Sequence, residues 1–104
     1  MELKEVQKEV DDWMSQLKIG YWSPHEILAR VTEEVGGLAR EINHEFGPKK
    51  KKSNEDTKNL GDEIGDIIFA LACLANSQNI DLDESFGRVM DKCYVRDKNR
   101  YKKK

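Results

Sequence analysis

Apolar residues return every third or fourth position along this chain, in four separate runs, and that period commits it to helices. Leu3, Val6, Val10, Trp13, Met14 and Leu17 make the first run, which predicts an amphipathic helix over residues 3–18 that Gly20 ends. The second opens on Ser23 as its cap, with Pro24 in the first helical position and Glu26 completing a capping box. Its stripe is Ile27, Leu28, Val31, Val35, Leu38 and Ile42, and Gly47-Pro48 stops it. The third helix is predicted from about Asn54 to Ser77, with a second half apolar enough to be surrounded by protein. Asp81, with Glu84 three residues on, starts a fourth whose stripe of Phe86, Val89, Met90 and Cys93 leads into a charged tail. No segment has the two-residue alternation of a strand and none repeats another. Four helices joined by short loops predict an all-α four-helix bundle.

At 104 residues, 1–104 is expected to be a single domain. Charged residues make up 37% of the chain against 38% hydrophobic, so either the helices carry wide solvated faces or part of the core is shared with a partner. The 18 basic and 20 acidic side chains nearly cancel, which argues against a binder of nucleic-acid polymers or membrane surfaces. No apolar run approaches the roughly 18 residues that span a bilayer, and a cytoplasmic protein is expected. Lys49, Lys50, Lys51 and Lys52 read as a solvated linker rather than a loop contacting phosphate. Cys73 and Cys93 sit in apolar helical patterns without metal-site spacing and are expected to be reduced core residues. Trp13 lies on an apolar stripe and is expected in the core, whereas Trp22, beside a loop, suits stacking on a nucleobase. Glu41 and His44 form a Glu-x-x-His pair, but only once, which argues against a di-iron bundle; His25 and His44 are expected on helix surfaces.

The chemistry is carried by carboxylates. Glu33 and Glu34 fall in the second predicted helix, and Glu63 and Asp66, three apart and therefore on one face, fall in the third. They flank apolar stripes that face the bundle interior, where unpaired carboxylates are costly. A hard divalent cation removes that cost, and magnesium pairs a few carboxylates with waters and substrate phosphates. Gly36 and Gly65 lie in these helices, where glycine costs about 1 kcal/mol, and are expected to let the two helices approach closely. Spacing alone also allows solvent-facing charges on ordinary amphipathic helices.

Glu33-Glu34-Val35-Gly36 followed by Glu63-Ile64-Gly65-Asp66 resembles the EExxE…ExxD motif of the MazG-like all-α nucleoside triphosphate pyrophosphohydrolases, in particular their short, single-domain YpjD-like type. The likeness extends through Gly20-Tyr21-Trp22-Ser23-Pro24, residues 38–44, Cys73-Leu74-Ala75-Asn76-Ser77 and Arg96-Asp97-Lys98-Asn99-Arg100, nearly the whole chain. The resemblance implies magnesium-dependent hydrolysis of nucleoside or deoxynucleoside triphosphates to monophosphate and pyrophosphate in nucleotide-pool cleaning, by a homodimer or homotetramer. It makes Glu34, Glu63 and Asp66 metal ligands, with Glu33 activating the attacking water and Glu34 also catalytic. Trp22, Lys92, Arg96 and Arg100 then bind substrate, the three basic residues at phosphate oxygens; a solvated basic face is the other reading of that spacing.

The sequence departs from the motif at its third glutamate, where Gly37 stands. Loss of one carboxylate predicts weaker magnesium binding and slower turnover, with Glu41 one turn on as a substitute acting through water. Two adjacent glycines also predict local loosening of the second helix. The same gap motivates an alternative, a non-catalytic nucleotide-binding or regulatory protein of this fold, and a purely structural helical module is a third reading.

Overall fold

The computed structural model describes residues 2–48 and 59–104. Among these described residues four α-helices follow in order: α1 Leu3–Met14, α2 Pro24–Phe46, α3 Leu60–Ser77 and α4 Leu82–Asp91, which passes into a π-helical turn, Lys92–Arg96. The described residues contain no strand. The lysine run and the predicted start of the third helix at Asn54 lie outside the described residues.

The caps are those the side chains dictate. Ser23 Oγ accepts from the Glu26 amide at 3.3 Å while Glu26 Oε1 accepts from the Ser23 amide at 3.1 Å, and Pro24 begins α2. Asn59 caps α3 through the Asp62 amide, and Asp81 caps α4 through the amides of Asp83 and Glu84. Helix α1 is four residues shorter than predicted. Ser15 Oγ and Gln16 Nε2 both donate to the Asp12 carbonyl, at 3.1 Å each, and this competition turns the chain before Gly20 takes a left-handed φ of 68°. Gly36 and Gly37 do not interrupt α2, which is helical throughout.

Helices α2 and α3 pack as the principal pair, α1 lies against α3, and α4 leans on α1. The core is where the first three meet: Val10 and Met14, one turn apart on α1, close over Ile27 of α2 and Ala72 and Cys73 of α3. Ala70, Ala72, Cys73 and Ala75 of α3 are buried, but Ile68, Phe69 and Leu71 between and beside them are exposed, so the expectation that the second half of this helix is enclosed by protein fails within one chain. Two more expectations fail here. Trp13 is 53% exposed and Cys93 is exposed, because the buried line of α1 runs through Val10 and Met14 and α4 buries no residue.

Polar groups fix how the helices sit. Gln7 Nε2 donates to Asn76 Oδ1 at 3.0 Å and to the Ile80 carbonyl at 2.7 Å, while its Oε1 accepts from the Leu82 amide at 2.9 Å. Asn76 Nδ2 donates to the Gln7 carbonyl at 2.9 Å and to Tyr21 Oη at 3.0 Å, and Tyr21 donates onward to Asp11 at 2.6 Å. One glutamine thus ties α1 to the end of α3 and the start of α4. Burial, and then the hydrogen bond donated to Asp11, push the Tyr21 hydroxyl up from 10.0 to about 12. A phenol whose folded pKa is raised lends stability below the unfolded value of 10.0 and loses it as pH climbs toward 12. Chemical unfolding between pH 10 and 12 is therefore expected to show a falling stability in the parent that Tyr21→Phe flattens; parallel curves would refute it.

The chain is open for its size. Its Cα radius of gyration is 17.2 Å, against about 13 Å for a compact domain of 100 residues. Leu28, Val35 and Ile42, each seven apart on α2, and Ile64, Ile68 and Leu71 on α3 stay exposed. These are the same stripes that were predicted to face an interior.

Candidate metal and nucleotide site

The antiparallel packing of α2 on α3 sets the middle of one helix beside the first turns of the other. There one carboxylate oxygen each from Glu34, Glu63 and Asp66 lies within 4.8 Å of the other two. Glu63 is 2% exposed, and Glu34 and Asp66 are half-buried. An octahedral ion about 2.1 Å from each ligand holds neighbouring oxygens about 3.0 Å apart and opposite ones about 4.2 Å apart, so side-chain shifts on the order of 1 Å or more complete the grip. Three hard anionic oxygens fit magnesium by charge and by chemistry, and three ligands leave room for phosphate oxygens and water.

Helix proximity has a different cause from the one the spacing suggested. A side chain on Gly36 or Gly65 would meet nothing within 4 Å, so neither glycine is needed for the approach. Gly37 is the intimate contact. A Cβ there would sit 2.7 Å from Glu63 Oε2 and 3.2 Å from Glu63 Cδ, so the Glu63 carboxylate rests in the space this glycine leaves. Glu41, the suggested substitute, is buried one turn further along α2 and outside the trio of converging oxygens. His44 is buried as well, at 9% exposure, contrary to the surface position expected for it; His25 is exposed as expected.

Glu33, adjacent to Glu34, is exposed and lines an open groove of about 260 Å³ with Trp22, Glu26 and Arg30. Trp22 also edges an apolar cavity of about 200 Å³ formed with Trp13, Ile19, Phe69 and Cys73. A narrower cavity joins Trp22, Phe69 and Cys73 to Asp66 and Arg30, so the aromatic pocket reaches the carboxylate cluster. Burial pushes the Cys73 thiol up, which keeps it protonated and makes it a wall of the pocket rather than a nucleophile. Phe69 and Cys73 were not foreseen in this role, because a residue on an apolar stripe carries no mark of whether it meets a neighbour or a cavity. Arg30 was also missed, although its four-residue spacing from Glu34 was a readable signal.

Lys92, Arg96 and Arg100 stand apart. They lie on the π-helical turn and the residues after it, beyond the helix that leans on α1. Arg96 pairs with Asp97 at 3.1 Å, Arg100 approaches the same carboxylate at 3.7 Å, and Arg100 lies 5.7 Å from the centre of the Tyr101 ring. The hydrogen bond from Arg96 holds the Asp97 carboxyl below its ordinary value.

A family model described as the MazG nucleotide pyrophosphohydrolase domain matches residues 22–101. The protein YpjD of Bacillus subtilis (strain 168) is 52% identical over 102 residues, 98% of this chain and 92% of its own length. The crystal structure of YpjD from Bacillus subtilis superposes with a TM-score of 0.79 at 52% identity, over 88% of this chain and 94% of that one. The crystal structure of the Bacillus-conserved MazG protein, a nucleotide pyrophosphohydrolase, gives a TM-score of 0.75 at 43% identity, over 88% of each chain. No helix among the described residues is long and apolar enough to cross a membrane.

Proposed function

This chain belongs to the MazG nucleotide pyrophosphohydrolase family, and from that premise we propose that it hydrolyses nucleoside or deoxynucleoside triphosphates between the α and β phosphates with magnesium held by Glu34, Glu63 and Asp66. The convergence of those three oxygens across α2 and α3 supports this reading most directly. Magnesium bound there supplies positive charge to the phosphate oxygens as the reaction proceeds. Glu33, solvated beside Glu34, takes the proton of a water whose oxygen attacks the α-phosphorus. The bond from that phosphorus to the bridging oxygen breaks, pyrophosphate leaves, and the monophosphate keeps the water oxygen. Trp22 offers its indole face to the base at the mouth of the apolar cavity. Lys92, Arg96 and Arg100 meet phosphate only by reaching it from outside the α2/α3 pair, and an assembly of two or four chains through the exposed α2 and α3 stripes brings further surfaces to the site. The setting is a cytoplasmic nucleotide pool.

The test is pyrophosphate release from a panel of ribo- and deoxyribonucleoside triphosphates, with magnesium and with chelator. Parent, Gly37→Ala and Gly37→Glu are compared. A Cβ at position 37 meets the mobile end of the Glu63 side chain, which has to move aside while staying beside Glu34 and Asp66; alanine adds no ligand and is expected to weaken magnesium binding slightly, whereas glutamate adds a fourth carboxylate. Gly37→Glu should therefore raise magnesium affinity and turnover by roughly tenfold or more over the parent. Equal, substantial turnover in both would refute the cost assigned to the missing carboxylate. Silence in parent and Gly37→Glu alike, with nucleotide still bound, would favour a non-catalytic regulatory protein.

A further inference from the structure

Arg30 joins the carboxylate cluster to the aromatic pocket, and the mechanism above leaves it unused. Its Nε donates to Glu34 Oε1 at 2.8 Å, and its guanidinium lies 5.8 Å from the centre of the Trp22 ring. It lines both the groove that holds Glu33 and the narrower cavity that holds Asp66. An arginine and a glutamate four apart on a helix usually form a weak surface pair. This pair is asymmetric: the Arg30 side chain is 47% exposed but that of Glu34 only 14%, and Glu34 is the end that meets the other two carboxylates. A guanidinium keeps its charge, so Arg30 and a divalent cation compete for the same carboxylate. The base of a nucleotide stacked on Trp22 and its phosphates at the cluster are parts of one molecule, so the atoms between them pass over Arg30.

We propose that Arg30 is an exchangeable counter-ion. In the free protein it holds Glu34 and covers Trp22; when Glu34 engages a divalent cation, the freed guanidinium turns to a phosphate of the nucleoside triphosphate and leaves the indole open to the base. This rests on the pyrophosphohydrolase reading. Its planar fork matches phosphate oxygens two at a time. Arg30 then opposes the cation alone and favours the cation with nucleotide, two effects of opposite sign that a purely structural residue does not produce.

Titration calorimetry on the full chain tests this, using magnesium alone and magnesium with a non-hydrolysable α,β-methylene triphosphate. A Trp13→Phe background leaves Trp22 as the remaining tryptophan for fluorescence, since the chain has two. Arg30→Ala is expected to bind magnesium alone about threefold tighter and the analogue about tenfold more weakly. Trp22 emission should respond to magnesium in the parent and not in Arg30→Ala. Arg30→Lys keeps a charge for Glu34 without the fork, so it guards against a folding defect and should still lose about fivefold in analogue affinity. If magnesium and analogue affinities are both unmoved while the parent releases pyrophosphate, the proposal falls and the hydrolase reading stands. A parent that neither takes up magnesium nor releases pyrophosphate overturns both.

Discussion

Glu63→Gln is expected to lower kcat/KM for triphosphate hydrolysis by about 10³-fold, corresponding to about 4 kcal/mol of transition-state stabilisation. Glu63 is the most buried of the three converging carboxylates, and its oxygens lie against the backbone of Gly37 rather than in solvent. A glutamine has the same shape and keeps the packing, but it brings a neutral amide where the ion needs an anionic oxygen. The motif already has Gly37 in place of one glutamate, so a second loss leaves two carboxylates. The same substitution should affect stability in the other direction. A carboxylate this buried, close to two others, costs free energy in the absence of a cation, and Glu63→Gln relieves that cost. Melting curves with and without magnesium should therefore show a large metal-induced rise in Tm for the parent, and for the variant a metal-blind curve at or above the metal-free parent. Turnover within a few-fold of the parent, or an undiminished magnesium response, would remove Glu63 from the ligand set.

Ile27→Ala should destabilise the fold by about 3 to 4 kcal/mol, toward the upper part of the range for buried aliphatic truncations. Among the described residues Ile27 is the largest fully buried side chain, at 2% exposure, and it stands where α1, α2 and α3 meet. It also borders both the apolar cavity and the narrower one beside Asp66. The volume it vacates joins existing space instead of closing by relaxation, which places the cost high. In a chain of this size each kcal/mol moves Tm by roughly 4–8 °C, so the variant should melt more than about 12 °C below the parent. Denaturant unfolding of the two proteins checks it, and a loss under about 1 kcal/mol would mean that the centre of this core lies elsewhere.

The four helices were legible because their limits are written in short-range chemistry. Ser23 with Glu26, Asp81 with Glu84 and the Gly47-Pro48 stop each act within a few residues, and periodicity needs nothing more distant; Asn59, which caps α3, was not singled out. The pairing of Glu63 with Asp66 was readable for the same reason, since three residues along a helix fix a common face. Partial burial of Glu34 beside an apolar stripe could be inferred as well. The errors arose where a side chain's fate depends on a neighbour far along the chain. Trp13 and Cys93 have core chemistry and core spacing, yet they remain exposed because the described residues place no helix over them. His44 has surface chemistry and is buried. Gly36 and Gly65 look like contact glycines and face open space, whereas Gly37, notable in the sequence only as a missing glutamate, is where Glu63 lies.

From its sequence alone this chain is committed to four amphipathic helices, to the caps and stop that bound α2 and the cap that opens α4, and to carboxylates spaced for one face of each of two helices, all properties of local backbone and side-chain geometry. Tertiary packing alone settled which of those carboxylates share a point in space, that Arg30 and Trp22 stand beside them, and that an apolar cavity opens onto the cluster. Such facts depend on the register between α2 and α3, which is set by the shapes of both surfaces together and by no single stretch of chain.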